Sequence, residues 1–403
     1  MNLNHITKIV LQENNTNNIK QEKQKINNLL KKIQELLKKN KIDAKPLLGG
    51  SAAKETFLGN DFDVDIFILF NYNKYKDDDI SKILYKCIKS LKPKKVHGSR
   101  DYYQIEKRYE IIPVLNIKNP KQAINITDAS PLHAAWVKKH IKKKPKLKDE
   151  IKLTKIFFKS IGVYGAESYI KGISGHVTEI LVIYYGNFKN LVQKIAKWKN
   201  NTEIDIEKHK TVLDKAKIGP LIVVDPIQQN RNAAAAVNQA TYDLLKKKCK
   251  EFIKKPSIKF FNKKTWNLNK INKEYNLILK IEVPNGKIDI IGAKLLKSHE
   301  YIARELKLFN IIKQGWFWDK NKECYFYYKT EKNKLPNYFT QEGPTKDMKE
   351  HLIKFKKKYG TIKIVKGKAT AKIKRSRVKL EEEVKYIKNS DYLKNKIKGL
   401  TIL

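Results

Sequence analysis

The sequence predicts a multidomain α+β protein: a small mixed sheet, then a helical region, then a basic α+β region at the C-terminal end. Three observations carry this. Acids alternate with apolar residues along Asp61-Phe62-Asp63-Val64-Asp65-Ile66, the period of a strand with one acidic and one apolar face. From about Ser130 the apolar spacing changes to three and four. Beyond Pro256 strand-like and helical stretches interleave again, and residues 246–403 hold 42 basic against 16 acidic side chains.

The elements follow in order. Residues 5–40 read as one or two amphipathic helices, with Ile26, Leu29, Leu30, Ile33, Leu36 and Leu37 at helical spacing. Gly49-Gly50-Ser51 is a tight small-residue turn, followed by a short helical stretch and the acidic strand, whose Phe62, Val64 and Ile66 point into a core. Residues 80–91 read as a helix, and 102–106 and 110–117 as strands joined by Lys107-Arg108-Tyr109. Residues 138–148 read as a basic link, and 152–161, 176–198 and 232–254 as helices. In the last region 275–283, 315–318 and 323–328 are strand-like, and 292–309 and 347–358 helical. Trp316 with Trp318, and Tyr325 with Tyr327, are expected to pack a core; base stacking is the alternative. The implied domains are 1–129, 130–254 and 255–403.

Composition narrows the function. A net charge of +45 on 403 residues points to a polyanionic partner. Only six of the 86 basic residues are arginine, a bias that suits an AT-rich genome or a thermophile's lysine usage, so part of the charge is solvated surface. More than half of the net charge lies beyond residue 245, far along the chain from the acidic strand, which suggests a separate polyanion platform. Cys87, Cys249 and Cys324 are widely spaced and form no C-x-x-C pair, so neither a cysteine zinc site nor a disulfide scaffold is indicated. The start lacks an apolar leader, and no run of 18 apolar residues occurs, so a soluble cytoplasmic protein without a membrane partner is expected.

Carboxylates aligned beside a glycine-serine turn suit two-metal phosphoryl transfer. The turn's amides and hydroxyl hold phosphates, and the acids hold magnesium. The bland alternative is a solvated acidic rim. Against it, aligned carboxylates repel one another and gain nothing without a cation.

The run GGSAAKETFLGNDFDVDIFILF at residues 49–70 resembles the nucleotidyltransferase signature of the DNA polymerase β superfamily, and its Ser-x-x-Lys-x-Thr form is similar to the archaeal, class I CCA-adding enzymes. Ser130-Pro131-Leu132-His133-Ala134-Ala135-Trp136 resembles that family's Thr-Pro-Phe-His-x-x-Trp. Lys155 and the later Tyr164-Gly165-Ala166-Glu167 are similar to its Lys-(x)8-Tyr-Gly-Ala-Glu. Gly172-Ile173-Ser174-Gly175-His176-Val177-Thr178-Glu179 resembles its Gly-Phe-Ser-Gly-Tyr-x-x-Glu. Val224-Asp225-Pro226 and Arg231-Asn232-Ala233-Ala234-Ala235 look like its Val-Asp-Pro…Arg-Asn-x-Ala-Ala. The first signature alone fixes the superfamily; the ordered set is specific to the archaeal branch.

The resemblance implies a polymerase β-like nucleotidyltransferase palm, a helical nucleotide-pocket domain and a basic tRNA-binding body and tail. It implies untemplated addition of C, C and A from CTP and ATP to the 3′ end of tRNA, gripped by its acceptor arm, with two Mg2+ ions. Asp63 and Asp65 are the expected first metal ligands, with Asp61 behind them or solvated. Glu110 stands where the family shows Asp as the third acid; Glu106 and Asp101 are the alternatives. Ser51, Lys54, Lys155 and Tyr164 are expected to hold the triphosphate. Lys155 would otherwise be a solvated helix lysine, with Lys159 as the alternative contact. His133 is matched to a nucleotide contact and is otherwise a packed or capping histidine. Arg231 is expected to read the incoming base with its planar fork; the alternative is a salt bridge at a helix N-terminus. Competing functions are a poly(A) polymerase or oligoadenylate synthetase, and a non-catalytic RNA-binding protein on a relic palm. A homodimer is a compatible assembly.

Overall fold

Two parallel strands, β2 (Val64–Asn71) and β5 (Tyr109–Asn116), form the centre of the first sheet, with Asp65 in register with Glu110. The computed structural model describes residues 3–14, 19–59, 63–263 and 266–403. Asp61 and Phe62 therefore lie outside the described residues. The chain divides into two compact units, Met1–Lys264 and Thr265–Leu403.

In the first unit, helices α1 (Leu3–Glu13) and α2 (Ile19–Lys39) precede β1 (Ala44–Leu48) and the one-turn helix α3 (Gly50–Lys54). After β2 come α4 (Tyr72–Tyr75), α5 (Ile80–Ile88), β3 (Lys94–Val96), β4 (Tyr102–Ile105) and β5. The sheet order is β1-β2-β5-β4-β3, and every pairing except β2 with β5 is antiparallel. This is the small mixed sheet expected. Alternation then divides each central strand between two faces. Val64, Ile66, Ile68 and Phe70 of β2 and Ile111 and Leu115 of β5 pack on Ile26, Ile33 and Leu37 of α2 and Leu84 and Ile88 of α5. Each such fully buried side chain contributes roughly 1.5–3 kcal/mol. The other face carries Asp65 and Glu110 and continues into the apolar cluster of Phe67, Leu69, Ile112 and Val114.

The helical part holds α6 (Ser130–Lys143), α7 (Leu147–Ser160), α8 (Gly175–Tyr185), α9 (Phe188–Ile195), a parallel strand pair β6 (Thr202–Ile204) and β7 (Leu221–Val223), and α10 (Gln239–Lys254). Phe157, Phe188, Phe252 and Phe261 meet at its centre, ring centroids 5.3–5.7 Å apart. Three expectations change. Residues 138–143 are helix rather than link, because Val137 and Ile141 bury one face while the lysines stay outside. The stretch 176–198 is two helices. Gly186 turns left-handed at φ 84°, and the Asn187 side chain then caps α9 by accepting from the Asn190 amide. Residues 232–237 are not helix; Asn238 caps α10.

The second unit runs α11 (Leu268–Glu274), β8 (Leu277–Glu282), α12 (Ile288–Glu305), β9 (Ile311–Trp318), β10 (Glu323–Thr330), β11 (Tyr338–Thr345), α13 (Lys349–Tyr359), β12 (Ile362–Val365), β13 (Lys368–Lys374), α14 (Leu380–Lys388), α15 (Asp391–Lys394) and β14 (Gly399–Ile402). Its two antiparallel sheets have the orders β14-β8-β10-β9 and β11-β13-β12. The tryptophan and tyrosine pairs sit on opposite faces of the larger sheet: Trp316 and Trp318 border the core shared with α12 and α14, while Tyr325 stacks on Trp266 at 4.3 Å.

Asp128 locks the exit from the palm sheet. Its fully buried carboxylate accepts from the Arg100 guanidinium and from the amides of Leu115 at 2.9 Å, Ile124 at 3.2 Å and Asn125 at 2.9 Å. Removing it strands a cation and three donors. Asp128→Ala should cost about 3–5 kcal/mol in urea unfolding, with Asp128→Asn between it and the parent. A loss under about 1 kcal/mol for the alanine variant would show that water replaces the carboxylate.

Candidate active site

The turn before β2 lies directly on the acidic face of the sheet. The Gly49 amide donates to the Asp65 carbonyl at 2.8 Å. A side chain at Gly49 would overlap the Phe67 ring, and one at Gly50, where φ is +54°, would overlap Oδ2 of Asp65. Two glycines are thus required where backbone presses on strand, and Ser51, second residue of α3, lines the same cleft as Asp65.

Ser51, Lys54, Asp63, Asp65, Glu110, Lys155 and Tyr164 line one cleft of about 380 Å³, together with Thr56, Phe57, Lys159, His176 and Glu179. Seven of the nine predicted site residues therefore converge. Asp63 stands exposed at the entry to β2; Asp65 and Glu110 are partly buried beside each other. The alternatives to Glu110 do not line this cleft. Asp101 pairs with Lys95 at 2.6 Å and His97 at 2.9 Å, and Glu106 sits exposed in the β4–β5 turn at φ 52°.

The acids repel as expected. Burial, and then the charge of Asp63, raises the Asp65 carboxyl to about 6. Burial, then Asp65 and Asp63, raises Glu110 to about 7, against a hydrogen bond from Tyr102. An all-oxygen donor set under this strain fits a hard divalent cation such as Mg2+, which would replace the protons.

Charge is handled differently on the turn's far side. Glu179 of α8 is fully buried and binds the Lys54 ammonium at 2.7 Å, the Thr56 hydroxyl at 3.2 Å and the Lys155 ammonium at 3.4 Å. Lys155 also donates to the carbonyl and hydroxyl of Thr56, both at 3.1 Å. Burial pushes the Glu179 carboxyl up, but Lys155 and Lys54 outweigh it and hold it below its ordinary value. Lys155 is thus no solvated helix lysine. Lys159, one turn on, is exposed, with its ammonium 5.3 Å from the Tyr164 ring centroid. Burial raises the Tyr164 phenol, so it stays protonated as a donor. Glu55, left-handed at φ 55°, closes the turn, and its carboxylate binds Lys148 at 2.5 Å and Lys23 at 2.7 Å.

His133 and Arg231 converge elsewhere, on Asp225. The fully buried Asp225 carboxylate binds His133 Nε2 at 2.8 Å through one oxygen and the Arg231 guanidinium at 2.8 Å through the other. Arg231 does make a salt bridge, though in a turn rather than at a helix N-terminus. It also lines a second cleft of about 520 Å³ with Asn119, Lys121, His209 and Gln228. His176 links the groups: it lines the carboxylate cleft, and its ring lies 4.5 Å from that of His133. Sequence reasoning gave no role to Glu179, Thr56, His176 or Asp225. A signal existed for Glu179, because an acid inside the apolar run of α8 must find a buried cation.

Comparisons agree with this layout. Residues 26–133 match the family described as nucleotidyltransferase domain, and residues 149–262 match the one described as tRNA nucleotidyltransferase, second domain. The CCA-adding enzyme of Nanoarchaeum equitans is 37% identical over 290 residues, 68% of this chain and 71% of that protein. That of Methanocaldococcus jannaschii is 33% identical over 365 residues, 84% of this chain and 80% of that protein. Among solved structures, a cytoplasmic RNA terminal U-transferase superposes with a TM-score of 0.52 at 15% identity, over 66% of this chain and 99% of that one. A poly(U) polymerase gives 0.51 at 14% identity, over 64% and 99%. Those two likenesses carry the fold alone. No helix among the described residues is long and apolar enough to cross a membrane.

Two outcomes are expected. Raised carboxyl values mean that the native state binds protons the unfolded chain has released, so these two acids destabilise the metal-free protein as pH rises from about 4 to about 7. Calorimetry on chelated protein should show that fall in Tm, smaller in Asp65→Asn/Glu110→Gln, with Mg2+ restoring stability more at the high end. An identical pH slope in the double variant removes the strain inferred here. Separately, Glu179→Ala leaves two ammonium groups facing a gap and should cost about 3–5 kcal/mol in chemical unfolding, partly recovered in Glu179→Met/Lys155→Met.

Proposed function

Because the chain belongs to the archaeal CCA-adding enzymes, tRNA nucleotidyltransferases of the polymerase β superfamily, we propose that it completes tRNA 3′ ends with C, C and A, using CTP and ATP and no template. The observation that carries this is the cleft in which Asp63, Asp65 and Glu110 face Ser51 and Lys54.

The 3′-oxygen of the RNA attacks the α-phosphorus of the nucleotide, a new P–O bond forms, and the bond to pyrophosphate breaks. Two Mg2+ ions held by Asp63, Asp65 and Glu110 would supply charge neutralisation on the triphosphate and a lowered pKa for the attacking hydroxyl. Glu110, beside Asp65 on the neighbouring strand, is placed to help hold the metal that activates that hydroxyl and to help draw its proton. The Ser51 hydroxyl and the amides of the turn bind the β- and γ-phosphates. Lys54, fixed by Glu179, adds a positive charge beside them. Lys155 acts from below by holding Thr56 and Glu179, so Lys159 and Tyr164 are the better direct contacts to the triphosphate. His133 and Arg231, oriented by Asp225, receive the incoming base and read its edge. Most of the reaction's acceleration is then positioning and electrostatics.

We read residues 1–129 as the catalytic palm, 130–254 as the nucleotide-pocket domain and 255–403 as the tRNA-binding part. In the last, lysine and arginine side chains cover aromatic rings, as with Lys372 over Tyr338 at 4.7 Å and Arg377 over Tyr386 at 3.5 Å. Such a surface grips phosphates and A-form shape rather than sequence.

End-trimmed tRNA incubated with Mg2+ and CTP alone should gain two cytidines and stop, and ATP added next should contribute a single adenosine. RNA-end sequencing reads the outcome. Long homopolymer tails would instead indicate a poly(A) polymerase-like enzyme. Asp65→Ala should abolish addition while tRNA retention on a filter stays within about twofold. Addition that survives this change removes Asp65 from the metal site.

A further inference from the structure

The His133–His176–Asp225 cluster has a donor set unlike that of the carboxylate cleft. One ligand atom from each residue lies within 4.8 Å of the other two. His133 Nε2 is 2.8 Å from one carboxylate oxygen of Asp225, and His176 Nε2 is 3.5 Å from the other. His176 Nε2 is closed off from solvent and, among the described residues, makes no hydrogen bond of normal length, its contact with Asp225 being the long one. A buried imidazole nitrogen 3.5 Å from a carboxylate oxygen that an arginine already holds is poorly satisfied, and a metal ion bound by both would satisfy it. The carboxylate is pre-oriented, because one of its oxygens also accepts from the amides of Ile227 at 2.9 Å and Gln228 at 3.0 Å. Backbone donors of that kind orient metal-binding carboxylates.

We propose that His133, His176 and Asp225 form a second cation site, selective for a borderline transition metal of the Zn2+ class and distinct from the Mg2+-type carboxylates. Two imidazoles and a carboxylate are a zinc donor set, whereas Mg2+ demands oxygen. Arg231 sets the functional consequence. Its guanidinium holds the Asp225 oxygen that His176 faces, so a metal ion competes with Arg231 for one carboxylate. Occupancy therefore loosens the side chain proposed to read the base, and the site acts as an inhibitory one.

The test uses chelator-stripped, full-length protein in excess Mg2+, which saturates the hard-oxygen site. Zn2+ is titrated by calorimetry, and Co2+ by its visible absorption. One Zn2+ per chain and an intense four-coordinate Co2+ band are expected. His176→Tyr should weaken Zn2+ binding by more than about a hundredfold, the upper end of what losing an outer-sphere partner costs. Arg231→Ala should tighten it, and Asp65→Asn should leave it unchanged. An unaltered Tm for His176→Tyr shows that the loss is local; should that variant unfold, His176→Gln takes its place. The proposal is overturned by no saturable Zn2+ binding in Mg2+, by binding that survives loss of His176, or by binding that disappears with Asp65.

Discussion

One buried carboxylate, Glu179, ties the turn after β1 to the helices beside it. It reaches Lys54 and Thr56 on the turn and Lys155 on α7 from its own place on α8. Three elements far apart in sequence thereby share one charge. The geometry follows from energetics rather than from packing preference. An isolated charge at that depth would cost several kcal/mol, and so would either ammonium left behind without it. The cheapest arrangement is the one in which turn and helices meet, and the Ser51 end of the turn is then held over Asp65.

The opposite side of the turn obeys the reverse logic. There Asp65 and Glu110 sit side by side next to Asp63, and the raised proton affinities of Asp65 and Glu110 measure the strain. Stability is lost locally so that charge can be received. A carboxylate held low by two ammonium groups behind the turn thus stands against two carboxyls held high in front of it. The glycines at 49 and 50 make the contrast possible, because any side chain there would separate backbone from strand.

Much of this was legible in the chain. Alternation is a short-range signal, so the shared face of Asp63, Asp65 and the strand around Glu110 could be read directly, and the ordered segments of the resemblance pointed to the rest. What stayed hidden was long-range pairing. Nothing local shows that Glu179 reaches residues 125 positions away, or that Asp225 gathers His133 across 92. The smaller sheet of the second unit was missed for another reason. In β13, Lys368 to Lys374, the inward residues include Ala369 and Ala371, buried but too small to mark an apolar face among lysines. The break between α8 and α9 was missed because the apolar spacing continues across Gly186, and only the backbone turns there.

The most direct measurement is anomalous diffraction from crystals soaked with Mn2+ and a non-hydrolysable CTP analogue. The expected result is manganese among the carboxylates of Asp63, Asp65 and Glu110, with the triphosphate on the Ser51 turn. Manganese absent from those carboxylates, or a triphosphate bound away from Ser51 and Lys54, would contradict the assignment of this cleft as the place where the nucleotide is joined to RNA.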